Sequence, residues 1–318
     1  MMNGDNKEWL QSFFELLTAN KIDLAQQLKF QHLPSSLFKY REFDKDGFSI
    51  KNLAEDSLWA SSASKFNDPY DSFFKISQQK IEAIAWLQSK EKIKKSLQVN
   101  TVPFLTAEEI DKAGSLQNVI DSAQKTKNVT PGLTITLQKA WDVIYRNFLV
   151  HKLRPKIQDG MGVCSLSEVN TSMIMWRYYG GNHGGFCIEY DLEKTKTENP
   201  QLLHALYPVH YVNELPDMTE FFVSQDKAVV ALMGAIAALH KSDQWSYEKE
   251  WRFIFPFGKS KIPFAMKAPK IKAVYLGMNI SEKDKKLIIG IAQRKNIEIY
   301  LMHFLSHSYH LGHEKVSS

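Results

Sequence analysis

The chain has 318 residues, 44 % hydrophobic and 24 % charged, with 40 Lys and Arg against 35 Asp and Glu for a formal net charge of +5. These are ordinary globular proportions. They exclude wholesale disorder, collagen-like repeats and coiled-coil fibres, while the mild basicity permits nucleic acid as a partner without arguing for it. Two cysteines exclude a disulfide scaffold and a four-cysteine zinc site, and a reducing, cytoplasmic setting is expected.

The opening stretch, MMNGDNKEWLQSFFELLTANKID, is charged throughout and is not expected to be a signal peptide. Its Trp9, Leu10, Phe13, Phe14, Leu16 and Leu17 fit one side of a helix, so residues 1–30 are expected to form an N-terminal helix. LFKYRE (37–42) reads as a short strand, followed by a helix at about 49–56 and a second strand, SLWASS (57–62). FNDPYD then reads as a turn, because Asn-Asp-Pro restricts the backbone. Apolar positions at Phe73, Phe74, Ile76, Ile81, Ile84, Ala85 and Leu87 predict an amphipathic helix over 72–98. Residues 99–131 are polar and loosely patterned, and a long helix follows over Thr134–Lys152, ended by Pro155. Residues 72–156 are therefore expected to be a helical insertion.

After the insertion the texture changes. GVCSLS (162–167) and GFCIEYD (185–191) read as strands bracketing a short helix around Met173–Tyr179. HALYPVHYV (204–212), EWRFIF (250–255), IKAVYLG (271–277) and NIEIYLM (296–302) read as further strands, with helices at 218–241 and 281–294. The longest apolar run, Ala228–Leu239, rises about 18 Å as a helix against a hydrocarbon layer of ~30 Å, so a buried core helix is expected and no membrane span. Strands come from both ends of the chain with helices between some of them. The fold class expected is α+β, with a mixed, largely antiparallel sheet, flanking helices, and a single domain over 31–318 that carries the insertion.

Four clusters carry chemistry. In Lys39-Tyr40-Arg41 the arginine offers a planar fork of donors suited to phosphate or carboxylate. The run Ser61-Ser62 to Asn67-Asp68-Pro69-Tyr70-Asp71 can bind a polar ligand or close turns on its own backbone. Met175-Trp176-Arg177-Tyr178-Tyr179-Gly180-Gly181-Asn182-His183-Gly184-Gly185 suggests a loop where backbone approaches something flat or phosphorylated, although its spacing is no known phosphate-loop pattern. In Trp245–Arg252, Glu248 and Glu250 share a face if the segment is a strand, and suit general-base work or the stabilisation of positive charge. The competing reading of Glu250 is a structural ion pair with an arginine. Cys164, His183 and Cys187 are soft ligands by type, but both cysteines lie in apolar runs and read as core thiols, so no metal is assigned there. His303, His307, His310 and His313 read as exposed strand positions and a loose tail.

In this order, LFKYR, LWASSASKFNDPYD, CSLSE, MWRYYGGNHGGFCIEYD, WSYEKEWRF and IKAVYLG resemble the DUF2971 family, a bacterial group named for its unknown function. The resemblance covers about residues 37–277. The chain departs from that pattern with Tyr-Gly-Gly where members more often carry Tyr-Ala-Asp, and Ser-Ala-Ser where Ser-Pro-Ser is common. A more distant resemblance links it to ADP-ribosyltransferases, which place an Arg or His on a first strand, a Ser- or Tyr-bearing second strand and a catalytic Glu, often in Glu-x-Glu, on a later strand. That resemblance implies an NAD-using transferase or NAD-cleaving enzyme, with NAD as substrate and no tightly bound cofactor. In it Arg41 holds the pyrophosphate, with Tyr40 beside it, and Ser61 or Ser62 supports the nicotinamide side. Trp176 or Tyr179 stacks on a ring, Asn67, Asp68 and His183 contribute to binding, and Glu250, with Glu248, stabilises the oxocarbenium-like ribose.

Two alternatives stand beside this expectation. One is a metal-dependent hydrolase or nuclease gathering Asp68, Asp71, Glu189, Asp191, Glu248 and Glu250 around Mg²⁺. The other is a non-catalytic interaction module in stress or phage defence, with the aromatic clusters as core. The expected partner is a small-molecule or nucleotide ligand, with a nucleic acid or protein as acceptor; the oligomeric state is open.

Overall fold

The computed structural model describes residues 5–77, 80, 112, 118, 153–223, 227–256 and 262–316. Two compact units divide the chain, one of residues 1–72, 158–214 and 234–318, the other of 73–157 and 215–233.

The first unit is α+β and holds a ten-stranded, mostly antiparallel sheet. Its strands are β1 (Ser36–Arg41), β2 (Ser57–Ser62), β3 (Gly162–Ser167), β4 (Phe186–Asp191), β5 (Leu206–Pro208), β8 (Glu250–Phe255), β9 (Phe264–Lys267), β10 (Lys270–Leu276), β11 (Glu298–Phe304) and β12 (Leu311–Lys315). The order is β12-β11-β10-β4-β1-β3-β2-β9, with β8 also on β3 and β5 on β8. Within it β10 and β11 run parallel. A parallel pair needs a crossover, and helix Glu282–Lys295 supplies it. Ser281 caps that helix by accepting from the Asp284 N–H at 3.1 Å, acidic residues fill its first turn, and Asn296 ends it in a left-handed conformation. A separate parallel pair, β6 (His210–Val212) with β7 (His240–Ser242), stands outside the sheet.

Alternation along the strands divides two cores. Leu37, Leu58, Leu166, Phe186, Ile188 and Phe253 belong to the larger, and Tyr40, Met175, Trp176, Cys187, Ala273 and Tyr275 to the smaller. Because successive strand side chains point to opposite faces, Cys164 and Cys187 fall in different cores. The two thiols therefore cannot meet at one ion with His183, and among the described residues no group of three or more His, Cys, Asp or Glu is placed to hold a metal.

Several elements differ from the sequence reading. The expected N-terminal helix is two, Asp5–Thr18 and Ile22–Gln31, parted by Asn20 in a left-handed conformation. The expected strand at 204–212 is β5 and β6 in different pairings. The helix expected at 218–241 is Thr219–Val223 and Lys227–Leu239, and 240–242 is β7 instead, because its backbone pairs with β6. β9 and β12 carried no strand signal. β12 forms a hairpin with β11, setting His313 opposite Met302, while His307 and His310 lie between the two strands.

In the second unit residues 73–77 are not helical as expected. Lys75 bridges Asp217, the Ser77 N–H donates to Thr219 Oγ1 at 2.6 Å, and Arg154 donates to the Phe74 carbonyl at 2.8 Å. The rest of the expected 72–98 helix, apart from helical Lys80, and the whole of the Thr134–Lys152 helix lie outside the described residues. No described helix is long and apolar enough to cross a membrane.

Candidate active site

A gap in the sheet makes the cavity. β3 pairs with β8 along one edge over its whole length, Gly162–Ser167. Its other edge meets β2 at Gly162 and Val163, and β1 at Ser167 through Phe38. Between these contacts no strand of the described residues covers Cys164–Leu166. A cavity of about 200 Å³ lies there, walled by Phe38, Tyr40, Phe66 and Tyr179 and floored by ionisable groups.

The floor comes from alternation on β8 and a turn before it. Trp251 and Phe253 point into the larger core, which turns Glu250 and Arg252 to the cavity. Glu248 is not on the strand as the sequence suggested. It ends a 3-10 helix, Asp243–Glu248, and Lys249 then takes a left-handed conformation at φ 45°. This kink still brings both carboxylates to one cation: Lys241 Nζ lies 2.5 Å from Glu248 Oε2 and 3.1 Å from Glu250 Oε2. Arg252 donates a fork to Asp71, 2.9 Å to Oδ1 and 2.6 Å to Oδ2, and also donates to Glu250 Oε2 at 2.9 Å and the Ala238 carbonyl at 2.6 Å. All five groups are buried. The Ser167 hydroxyl holds the Glu248 carbonyl at 2.6 Å, and the Glu250 N–H donates to Tyr211 Oη at 2.8 Å. Tyr179 donates to Glu248 Oε1 at 2.7 Å, and Asn67 Nδ2 donates to Tyr179 Oη at 3.3 Å.

The same surroundings drive the two glutamates apart. Burial, then the Glu250 charge, raises Glu248 above the usual carboxylate range, with Lys241 and Tyr179 opposing. Burial also raises Glu250, but Arg252 and Lys241 outweigh it and hold its carboxyl at about 2. Burial and the hydrogen bond to Glu248 push the Tyr179 phenol up, so it stays a proton donor.

Of the residues singled out from sequence, Tyr40, Asn67, Tyr179, Glu248 and Glu250 line this cavity. Arg41 pairs with Phe186, so its side chain points to the opposite face of the strand from Tyr40, and it is not among the lining residues. Ser61 pairs with Val163 in β2. Ser62 caps the turn Ala63–Lys65 and donates to Asp159 Oδ1 at 3.0 Å. Asp68 closes an Asx turn, accepting from the Tyr70 N–H at 2.8 Å, and so presents Asp71 to Arg252. Trp176 is wholly buried and donates to the Asn170 carbonyl at 2.7 Å. His183 sits in the glycine loop, where Gly185 passes so near β1 that a Cβ on it would stand 2.1 Å from the Arg41 carbonyl oxygen. The close backbone approach read from those glycines is thus to β1. Glu189 is engaged elsewhere, with Tyr275 at 2.8 Å, Ser36 at 2.8 Å and Lys272 at 2.7 Å. Of the carboxylates named for a Mg²⁺ site, Asp71, Glu248 and Glu250 reach the cavity floor, where Lys241 and Arg252 hold them, and Glu189 does not; among the described residues no group of three or more is placed to hold a metal.

Lys241, Ser165 and Ser167 were missed. Lys241 follows an apolar helix and nothing local marks it as a partner for distant carboxylates. Arg252 was legible in principle, since i and i+2 on a strand share a face with Glu250.

A family described as a protein of unknown function (DUF2971) matches residues 175–253, the stretch that carries Tyr179, Lys241, Glu248, Glu250 and Arg252. No curated protein and no solved structure matches the chain.

Proposed function

We propose that the cavity is the catalytic site of an enzyme that breaks a glycosidic bond of a nucleotide-like substrate, with NAD as the substrate to test. One observation carries this reading. Two glutamates share a single lysine in an aromatic-walled cavity, yet their surroundings drive their protonation in opposite directions. Such divergence is how a site obtains one carboxylate that exchanges a proton and one that stays charged.

Glu250, held ionised, supplies fixed negative charge where an oxocarbenium-like ribose develops positive charge. The floor has three carboxylates, Asp71, Glu248 and Glu250, against two cations, Lys241 and Arg252, so an excess of negative charge faces the substrate when all are ionised. Glu248, the more basic of the pair, acts as general base. As water or an acceptor hydroxyl bonds to the ribose C1′, the C1′–N bond breaks and its electron pair returns to the nicotinamide nitrogen. The proton of the nucleophile passes to Glu248. Tyr179 orients that carboxylate through its 2.7 Å hydrogen bond.

Incubation of the full chain with NAD should release nicotinamide, detected by chromatography. Glu248→Gln should cut the rate by about 10²-fold or more, the usual contribution of a positioned acid–base group, while the melting temperature changes little. Absence of nicotinamide release at high enzyme, together with no heat of NAD binding, overturns the reading.

A further inference from the structure

Among the described residues that line the cavity, Lys39 is the cation with no carboxylate within ion-pair distance; Lys241 and Arg252 both have theirs. It stands on β1 beside the gap in β3. There its ammonium takes the place of a missing strand partner, donating to the Ser165 carbonyl at 2.6 Å. An ammonium has three N–H donors. The other two have no protein acceptor among the described residues. Burial pulls the group's affinity for its proton down, as expected for a cation removed from water without a counter-ion.

A second observation lies behind it. Arg41, two residues along β1 and outside the cavity lining, has Nε and Nη2 buried without a hydrogen-bond partner and forms no ion pair among the described residues, so the neighbouring cation does not bring a carboxylate to Lys39 either. The cavity therefore has an electrical polarity, with the uncompensated Lys39 at the β1 end and excess carboxylate at the β8 end. A half-buried cation without a counter-ion is costly, and an anion brought by a ligand offsets that cost.

We infer that Lys39 binds a phosphate group of the substrate, whose electron-poor ring then lies toward Glu248 and Glu250. This rests on the reading of the cavity given above and specifies the charge pattern of its substrate: anionic at one end, cationic or electron-poor at the other. NAD has that pattern, and a neutral nucleoside does not.

The experiment is calorimetric titration of the full chain with AMP and with adenosine. A charge-assisted hydrogen bond contributes enough that AMP should bind about tenfold tighter or more, with the preference shrinking as salt is raised. Lys39→Gln keeps an amide N–H for the Ser165 carbonyl and removes the charge; it should bring AMP down to the level of adenosine. Lys39→Arg should retain the preference. Equal binding of AMP and adenosine, binding of neither, or a folded Lys39→Gln that still prefers AMP overturns the inference. If Lys39→Gln does not fold, the wild-type preference and its salt dependence decide alone. NAD cleavage without an AMP preference sinks the Lys39 assignment only, whereas an AMP preference without NAD cleavage sinks the glycosidic reading only.

Discussion

Arg252 is the residue on which the site's geometry depends most. Its guanidinium is fully buried and binds Asp71 through both oxygens, Glu250 through one, and a main-chain carbonyl. Removing it leaves Asp71 in the interior without a counter-ion and Glu250 with Lys241 alone, and breaking a buried pair this way costs roughly 3–5 kcal/mol. Arg252→Met should therefore lower the free energy of unfolding by that amount, read as a lower denaturant midpoint at unchanged slope. The double variant Arg252→Met with Asp71→Asn should lose less than the sum of the two single changes, because the two residues share one interaction. A denaturation series that finds simple additivity would show that the fork does not couple them. Glu248 and Glu250 were recognisable from their spacing and aromatic flanks, but their common cation was not. Sequence distance says nothing about which lysine a carboxylate seven or nine positions away meets across a 3-10 helix and a left-handed kink.

The elements around the cavity are held by close backbone packing. The glycine loop after helix Met173–Tyr178 folds back on itself, with the Gly185 N–H donating to the Gly180 carbonyl at 2.9 Å and the Gly277 N–H donating to the Gly185 carbonyl at 2.9 Å. A methyl group on Gly185 would collide with the carbonyl oxygen of Arg41, which is main chain and cannot swing away. Gly185→Ala should therefore cost on the order of 1–3 kcal/mol or more, seen as a lower melting temperature. It should also weaken ligand binding by shifting β1, which supplies one wall of the cavity. Unchanged melting would mean that the loop relaxes without moving β1. The glycine run reads in the sequence as a place where backbone approaches something flat or phosphorylated. The object approached is a neighbouring strand, a distinction no run of glycines encodes.

Acid should destabilise the whole molecule through groups in two places. Burial holds His210 below its usual 6.5, and holds His240 at about 4 against a weaker opposing hydrogen bond that its ring donates to the Ile236 carbonyl. The two rings lie 3.3 Å apart at their nearest nitrogens and pack on Phe14. Between pH 6.5 and 4 the unfolded chain binds more protons than the folded one, so stability is full above that window and falls as pH drops through it. Glu250, held at about 2 against an ordinary 4.5, adds a second loss between those values. Glu248 works in the other direction, because its raised value favours the folded state at low pH. Melting temperature measured against pH should fall from about 6.5 downward, and His240→Gln should flatten the upper part of that fall. A wild-type profile that is level from pH 7 to 4 would contradict the burial of these rings.

Periodicity and turn chemistry were enough to establish an α+β chain, the positions of β1 to β4, β8, β10 and β11, and a carboxylate pair beside aromatic residues. These are local properties, written in residues a few positions apart, where the alternation of a strand or the restriction of an Asn-Asp-Pro turn acts directly on the backbone. The rest required the folded chain. β3 leaves part of one edge uncovered because β2 and β1 attach at its two ends, Arg41 and Tyr40 part company because neighbours on a strand face opposite ways, and Lys241 meets Glu248 and Glu250 only after the chain has turned back. Which groups share a cavity depends on long-range pairing, and that pairing is a property of the assembled sheet.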